Sequence, residues 1–142
     1  MATETKLRQL ADKECPVYYF YSSERYLVRQ AVAAATRILT ADSDEDATVL
    51  DGAAPEIEQL IMAAGTISFF GTRRVVVLPE IDPAAYSDKD LEELNSTLSS
   101  LENAVVVLGS VFELERSKLK TGKRAQKLIA QCKALGYTEE LA

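Results

Sequence analysis

The residue types that usually perform catalysis are sparse in this chain of 142 residues. It contains no histidine, which removes the commonest general base and a frequent metal ligand. Its two cysteines, Cys15 and Cys132, lack the C-x-x-C spacing of metal and redox sites, so both are expected to be reduced and structural. Asp51, predicted at the carboxyl end of a strand, is a candidate for a small α/β enzyme or nucleotide-binding domain. The alternative role for Asp51 is to cap the loop that follows.

Phosphate-binding chemistry is not indicated either. In many α/β folds, a glycine-rich turn between the first strand and the first helix holds phosphates. The corresponding residues here, 20–26, read Phe-Tyr-Ser-Ser-Glu-Arg-Tyr and contain neither glycine nor lysine. The Walker pattern G-x-x-x-x-G-K-S/T is missing, and the Gly122-Lys123 pair has Ser117 where the leading glycine would stand. We therefore expect no cofactor, no metal and no catalytic residue.

A basic stretch suggests a second kind of site. The net charge is −6, yet the segment 116–133 holds seven lysines and arginines and no acid. Lys123, Arg124 and Lys127 within it are candidates for facing DNA phosphates. The alternative, which the sequence favours, is a solvated helix face, because no aromatic residues alternate with the lysines to stack on bases.

Two adjacent aromatic residues form the most distinctive motif. Phe69 and Phe70 stand in a predicted turn, followed by a glycine, two arginines and the apolar run 75–78. The preceding segment has a helical period of apolar residues that predicts one buried face, comprising Ile57, Leu60, Ile61 and Ala64. The two rings are either core residues that close the turn or an exposed pair that docks on a partner.

The elements that position these residues alternate between helix and strand along one predicted domain, 1–142. The pattern predicts an α/β fold with three layers, in which a mostly parallel sheet has helices on both faces. The predicted strands are 17–21, 47–51, 74–78 and 103–108. The predicted helices are 1–14, a helix capped by Ser22 or Ser23 and running to about 39, 55–64, a helix capped by Asp88 and running to about 101, and 123–135.

Three segments resemble the N-terminal domain of the delta subunit of bacterial DNA polymerase III, the clamp-loader subunit that grips the sliding clamp. The segment 17–27 is similar to the opening strand and first helix of that family. The segment 66–77, Thr-Ile-Ser-Phe-Phe-Gly-Thr-Arg-Arg-Val-Val-Val, is similar to its clamp-binding segment. The segment 105–119 is similar to its last strand and the basic stretch beyond. The family continues into helical and collar domains that this chain lacks, so a fragment or a shortened relative is expected.

The resemblance implies an AAA+-like domain, related to P-loop NTPases, without a functional phosphate loop. It implies that Phe69 and Phe70 insert into a hydrophobic pocket of the clamp with Ile67 alongside. It further implies that Arg73 and Arg74 pair with acidic clamp residues, although either arginine can instead neutralise a helix C-terminus.

The partners implied are the sliding clamp, which is the beta subunit, and the other clamp-loader subunits, with DNA reached indirectly through the assembled complex. The domain itself is then not an enzyme, although the family belongs to a DNA polymerase holoenzyme. No apolar run approaches the ~18 residues of a membrane span and the N-terminus is polar, so no membrane partner and a cytoplasmic location are expected.

Overall fold

The computed structural model describes residues 2–41, 45–65 and 73–142. Helices and strands alternate through these ranges from residue 2 to residue 111, as the apolar periodicity predicts, and a hairpin of two short strands precedes the last helix. The helices are α1 (Ala2–Asp12), α2 (Arg25–Thr40), α3 (Ile57–Gly65), α4 (Asp88–Ser99) and α5 (Gly122–Leu135), with a short 3-10 helix at Pro83–Ala85. The strands are β1 (Val17–Ser22), β2 (Thr48–Val49), β3 (Arg74–Leu78), β4 (Ala104–Val111), β5 (Glu113–Glu115), β6 (Lys118–Lys120) and β7 (Tyr137–Glu140).

Five of the strands form one parallel sheet in the order β2-β3-β4-β1-β7. Val106 in the central strand β4 lies opposite Val17 of β1 on one side and Val76 of β3 on the other. The strand β7 was not predicted, because its sequence Tyr-Thr-Glu-Glu is mostly polar and occupies a half-exposed edge. A parallel sheet of this kind buries both faces, which explains the unbroken apolar runs of β3 and β4.

Alternate residues of the strands enter two separate cores. Tyr19 and Leu108 face one side, where α3, α4 and α5 supply residues such as Leu60, Leu94 and Leu128. Phe20 faces the other side, where α1 and α2 supply the residues Leu7, Val28, Ala31, Val32 and Ala35. The predicted arrangement of three layers is therefore confirmed.

The helix caps differ from the predicted ones. Ser22 belongs to β1, and its Oγ accepts a hydrogen bond from the backbone N–H of Glu24. Glu24 is the residue that precedes α2, and its side chain makes no capping hydrogen bond. Ser87, not Asp88, caps α4, because its Oγ accepts the backbone N–H of Asp90 at 3.1 Å.

A hairpin at the start of the basic stretch, like β7, was not indicated by the sequence. Residues 113–120 fold into an antiparallel hairpin in which Glu113 lies opposite Lys120. Its two turn residues, Arg116 and Ser117, have φ angles of 52° and 67°, where glycine or asparagine is usual. This unusual turn composition explains why the hairpin was missed.

Two glycines permit close approaches of the backbone. A Cβ at Gly109 would lie 2.4 Å from the carbonyl oxygen of Pro79, and one at Gly136 would lie 2.1 Å from that of Val17. The start of β7 can therefore reach β1 only because residue 136 has no side chain. Within the described residues, no helix has the length and apolar character needed to cross a bilayer.

Candidate functional site

The aromatic pair and Ile67 lie in residues 66–72, outside the described parts of the chain. The predictions for Ile67, Phe69 and Phe70 therefore stay predictions. The elements that bracket them are described: α3 ends at Gly65 before the segment and β3 begins at Arg74 after it. Because all strands of a parallel sheet begin at the same edge, Arg74 lies at this amino edge of the sheet.

The helix before the segment presents apolar side chains to solvent. Ile57 and Leu60 are buried, whereas Ile61 is 51 % exposed and Met62 is 68 % exposed. The prediction that Ile61 faces inward is wrong. The buried arc also takes in Ala63 and Ala64 and is centred on Leu60, and each further residue turns by about 100°. Ile61 is thereby rotated out of the core, toward the side where Met62 also lies.

Arg73, the residue before β3, forms hydrogen bonds with the turn that follows α1. One of its terminal nitrogens, Nη2, donates to the carbonyl oxygens of Glu14 at 3.1 Å and Cys15 at 3.4 Å. These carbonyls follow the last turn of α1, where Glu14 has a φ of 58°. A guanidinium at this place satisfies backbone acceptors and complements the negative end of the helix dipole. Arg73 therefore lies beside the C-terminus of α1, and both roles predicted for this arginine stay predictions.

Arg74 is held by a different connection. Its Nη1 donates to a carboxylate oxygen of Glu45 and its Nη2 lies 3.3 Å from Oγ1 of Thr48. The side chains of Arg74 and Glu45 are 21 % and 20 % exposed, so the pair is largely shielded from water. Arg73 and Arg74, which were predicted to contact the clamp, therefore both make contacts within the fold, at the amino edge of the sheet. Whether they also touch a clamp stays a prediction.

The basic candidates lie elsewhere. Lys123, Arg124 and Lys127 are exposed on the first turns of α5, which begins near the carboxyl edge where β4 ends. Nε of Arg124 donates to a carboxylate oxygen of Asp88 at 2.9 Å. The structure therefore separates these residues from Arg73 and Arg74 by the length of the sheet.

The arginine that follows the turn after β1 is paired with an acid from a neighbouring connection. Arg25, the first residue of α2, pairs with Glu80, which follows β3 at the same carboxyl edge. Glu80 is a strand-end carboxylate that the sequence reasoning missed, and its position two residues after a buried strand was the available signal. The other candidate, Asp51, is exposed beside the edge strand β2. No group of three potential metal ligands occurs among the described residues.

Buried hydroxyl and thiol groups serve the core. The Tyr19 hydroxyl lies 2.6 Å from Oγ of Ser110, which donates in turn to the carbonyl oxygen of Ile81. Burial raises the pKa of Tyr19 above its ordinary range and raises that of Cys132 to about 12. Cys132 is thus a protonated, inaccessible thiol at neutral pH and cannot act as a nucleophile. Cys15 is likewise buried and unbridged.

The sheet order and the helices on its two faces decide the fold class. The chain is similar to a DNA polymerase III, gamma subunit-related protein of Thermotoga maritima, whose structure is solved. The TM-score is 0.69 at 14 % sequence identity, over 99 % of this chain and 46 % of that one. At this identity the likeness shows the fold alone, and the predicted α/β class, with a mostly parallel sheet between two layers of helices, is confirmed. The chain spans about half the length of this neighbour.

The two comparisons by sequence found no match. No protein-family model matches the chain, and no curated protein matches it. The functional assignment therefore depends on the residues themselves.

Proposed function

We propose that this chain is a non-catalytic, clamp-binding domain of a DNA polymerase clamp loader, of the delta type. The observation that carries the proposal is the apolar surface of α3, where Ile61 and Met62 are exposed within nine residues of Phe69 and Phe70. Exposed apolar residues that adjoin an aromatic pair in the sequence are typical of a protein-docking surface.

The clamp-loader-like fold of the neighbour supports the choice of partner. That neighbour is a gamma subunit-related protein, whereas the delta assignment rests on the likeness of residues 66–77 to a clamp-binding segment. Two aromatic rings, each burying on the order of 150–250 Å², can anchor such an interface. A domain that binds an opened clamp more tightly than the closed ring shifts the ring toward the open state without hydrolysing nucleotide.

The carboxyl edge of the sheet supports a role without catalysis. A nucleotide would need a glycine-rich turn after β1, whereas Glu24 stands there and Arg25 pairs with Glu80. We expect no ATP affinity, and calorimetric titration with Mg-ATP tests this. Binding of ATP would favour the alternative of a nucleotide-binding domain.

The remaining partners belong to the same proposal. In the assembled loader, the domain contacts the other loader subunits and works in the cytoplasm on clamps destined for DNA. The exposed Lys123 and Lys127 offer positive charge toward DNA within that assembly. DNA binding by the isolated chain that disappears on reversal of Lys123, Arg124 and Lys127 would favour a direct nucleic-acid module instead.

The decisive experiment measures binding to the cognate sliding clamp by surface plasmon resonance. Phe69→Ala combined with Phe70→Ala is expected to weaken binding by at least ~2 kcal/mol, about thirtyfold, which is the scale of interface hot spots. Tyr26→Ala is the matched control, because Tyr26 is an aromatic residue 68 % exposed on α2. Unchanged clamp affinity in a folded double variant would contradict the proposed surface.

A further inference from the structure

A groove on the face of the sheet that carries α2 is a separate feature of the molecule. It has a volume of about 420 Å³ and lies between α2 and the strands β2 and β3. Its floor consists of Val32, Val77 and Pro79, and its outer wall is Val49, which is 52 % exposed. Because Val49 is exposed beside the buried Val32 and Val77, the groove has an apolar lining with room for one further side chain.

Two cations stand at the rim of this groove. Arg29 and Arg37 are eight residues apart on α2, with Ala33 between them on the same face of the helix. None of the described lining residues is acidic. Two carboxylates on neighbouring elements already have partners, since Glu80 beside Pro79 pairs with Arg25 and Glu4 of α1 pairs with Arg37 at 2.6 Å. The groove therefore presents positive charge around an apolar floor in a chain of net charge −6.

The groove also borders an open edge of the sheet. β2 is the terminal strand of the sheet order, and it contributes only Thr48 and Val49. Its outer side faces no strand within the described residues. An extended peptide placed there can add to the sheet edge while its side chains enter the groove.

The spacing of the arginines indicates what such a peptide carries. Eight residues of helix separate Arg29 and Arg37 by about 12 Å. Four residues of an extended chain span about 13 Å, and every second side chain of such a chain points to the same face. A peptide with acids at positions 1 and 5 and an apolar residue at position 3 thus directs all three side chains into the groove.

We propose that this groove binds an extended acidic segment of a partner protein, with the pattern acid-x-apolar-x-acid. The apolar side chain packs on Val32, Val49 and Val77, and the two carboxylates pair with Arg29 and Arg37. The first carboxylate meets a guanidinium that is in no ion pair within the described residues, and the second shares Arg37 with Glu4. This binding is independent of the proposed clamp surface on α3.

The test uses a fluorescein-labelled peptide of glycine and serine with a central Glu-Ser-Leu-Ser-Glu, and measures anisotropy against the full chain. Saturable binding is expected at low salt. Replacement of both glutamates by glutamine, or of the leucine by serine, is expected to weaken it at least tenfold. Absence of binding at millimolar protein, or equal binding of these altered peptides, would overturn the proposal.

Variants of the protein locate the site. Arg29→Glu with Arg37→Glu, and separately Val49→Lys, are each expected to weaken peptide binding at least tenfold. Lys133→Glu, a charge reversal at an exposed position on α5, is the matched control and is expected to retain binding. All are exposed positions, and circular dichroism verifies the fold. Peptide binding that survives both groove variants would overturn the site, as would equal competition by a single-stranded oligonucleotide, which would indicate a nucleic-acid ligand.

The same variants distinguish this proposal from the previous one. Clamp affinity is expected to be unchanged in the groove variants, and peptide affinity is expected to be unchanged in Phe69→Ala/Phe70→Ala. Each surface can therefore fail its test without affecting the other.

Discussion

Arg74 at the start of β3 forms a largely buried ion pair with Glu45 from the connection between α2 and β2. The sequence places Arg74 directly after the aromatic segment, where an exposed arginine would be available to a partner. The structure instead uses it to join two elements at the amino edge of the sheet. Together with Arg73, which bonds the turn after α1, it holds the start of β3 to two other parts of the fold.

Removal of one member of this pair should destabilise the fold. Glu45→Gln leaves the guanidinium of Arg74 shielded from water without its anionic partner, and about 1–3 kcal/mol of unfolding free energy should be lost. Urea denaturation measures this loss. Combining Glu45→Gln with Arg74→Gln should cost less than the sum of the two single changes, because the pair acts as a unit. Strict additivity would show that the pair contributes nothing.

The exposed face of α3 should matter for binding but little for stability. Ile61→Asp places a charge on the proposed docking surface and should reduce clamp affinity about tenfold, while the unfolding free energy changes by less than about 1 kcal/mol. Leu114→Asp is the matched control, since Leu114 is 59 % exposed on the hairpin and lies outside the proposed surface. Equal effects of the two changes on clamp binding would count against a role for α3.

Alkaline pH should unfold the protein through buried acids. Burial raises the pKa of Tyr86 to about 12 and that of Cys132 to about 12, from ordinary values of 10.0 and 9.0. The unfolded chain therefore releases these protons first, and stability is fully present below about pH 9 and falls as pH rises toward 12. Each group contributes a slope of about 1.4 kcal/mol per pH unit within its own interval.

The variant Tyr86→Phe separates the two contributions. It loses the hydrogen bond from the tyrosine hydroxyl to the carbonyl oxygen of Pro55, about 1 kcal/mol at neutral pH. Its stability should then fall less steeply than that of the parent between pH 10 and 12, as measured by urea denaturation at each pH. An unchanged slope would show that Tyr86 does not take part in the titration.

The junction between α5 and β7 should not tolerate a side chain. Gly136→Ala places a Cβ 2.1 Å from the carbonyl oxygen of Val17, so the backbone must move, and a loss of about 2–4 kcal/mol is expected from thermal or urea unfolding. Gly65→Ala is the control, because among the described residues no atom beyond its own helix and its chain neighbours lies within 4 Å of the Cβ position there. If the two alanine variants are equally stable, the close approach has no energetic importance.

The spacing of apolar residues predicted most of the fold, because each helix buries one face and a central strand of a parallel sheet is buried on both faces. Val75 to Leu78 and the apolar part of β4 are uniformly apolar, which identifies strands covered on both faces. β7 was not predicted, because an edge strand buries little surface and therefore needs few apolar residues. Ile61 was wrongly predicted to be buried, because the apolar residues of the short helix α3 cover a wider part of its surface than the part that packs against the sheet.

The candidate site was less accessible to prediction. The aromatic motif was recognisable, but the roles of Arg73 and Arg74 depend on Glu14, Cys15 and Glu45, which are distant in the sequence. The groove beside α2 has no sequence motif, because its apolar residues are typical of a core and its arginines are typical of the solvated face of a helix.

The order of the strands also has a consequence for biosynthesis. β1 leaves the ribosome well before both of its neighbours, β4 and β7, and 91 residues separate the hydrogen-bonded Tyr19 and Ser110. The aromatic residues of β1 therefore remain without their strand partners until β4 and β7 have been made. Long-range pairing of this kind slows folding and prolongs the exposure of apolar surface. The nascent chain should consequently be a client of ribosome-associated chaperones until Tyr137 to Glu140 emerge.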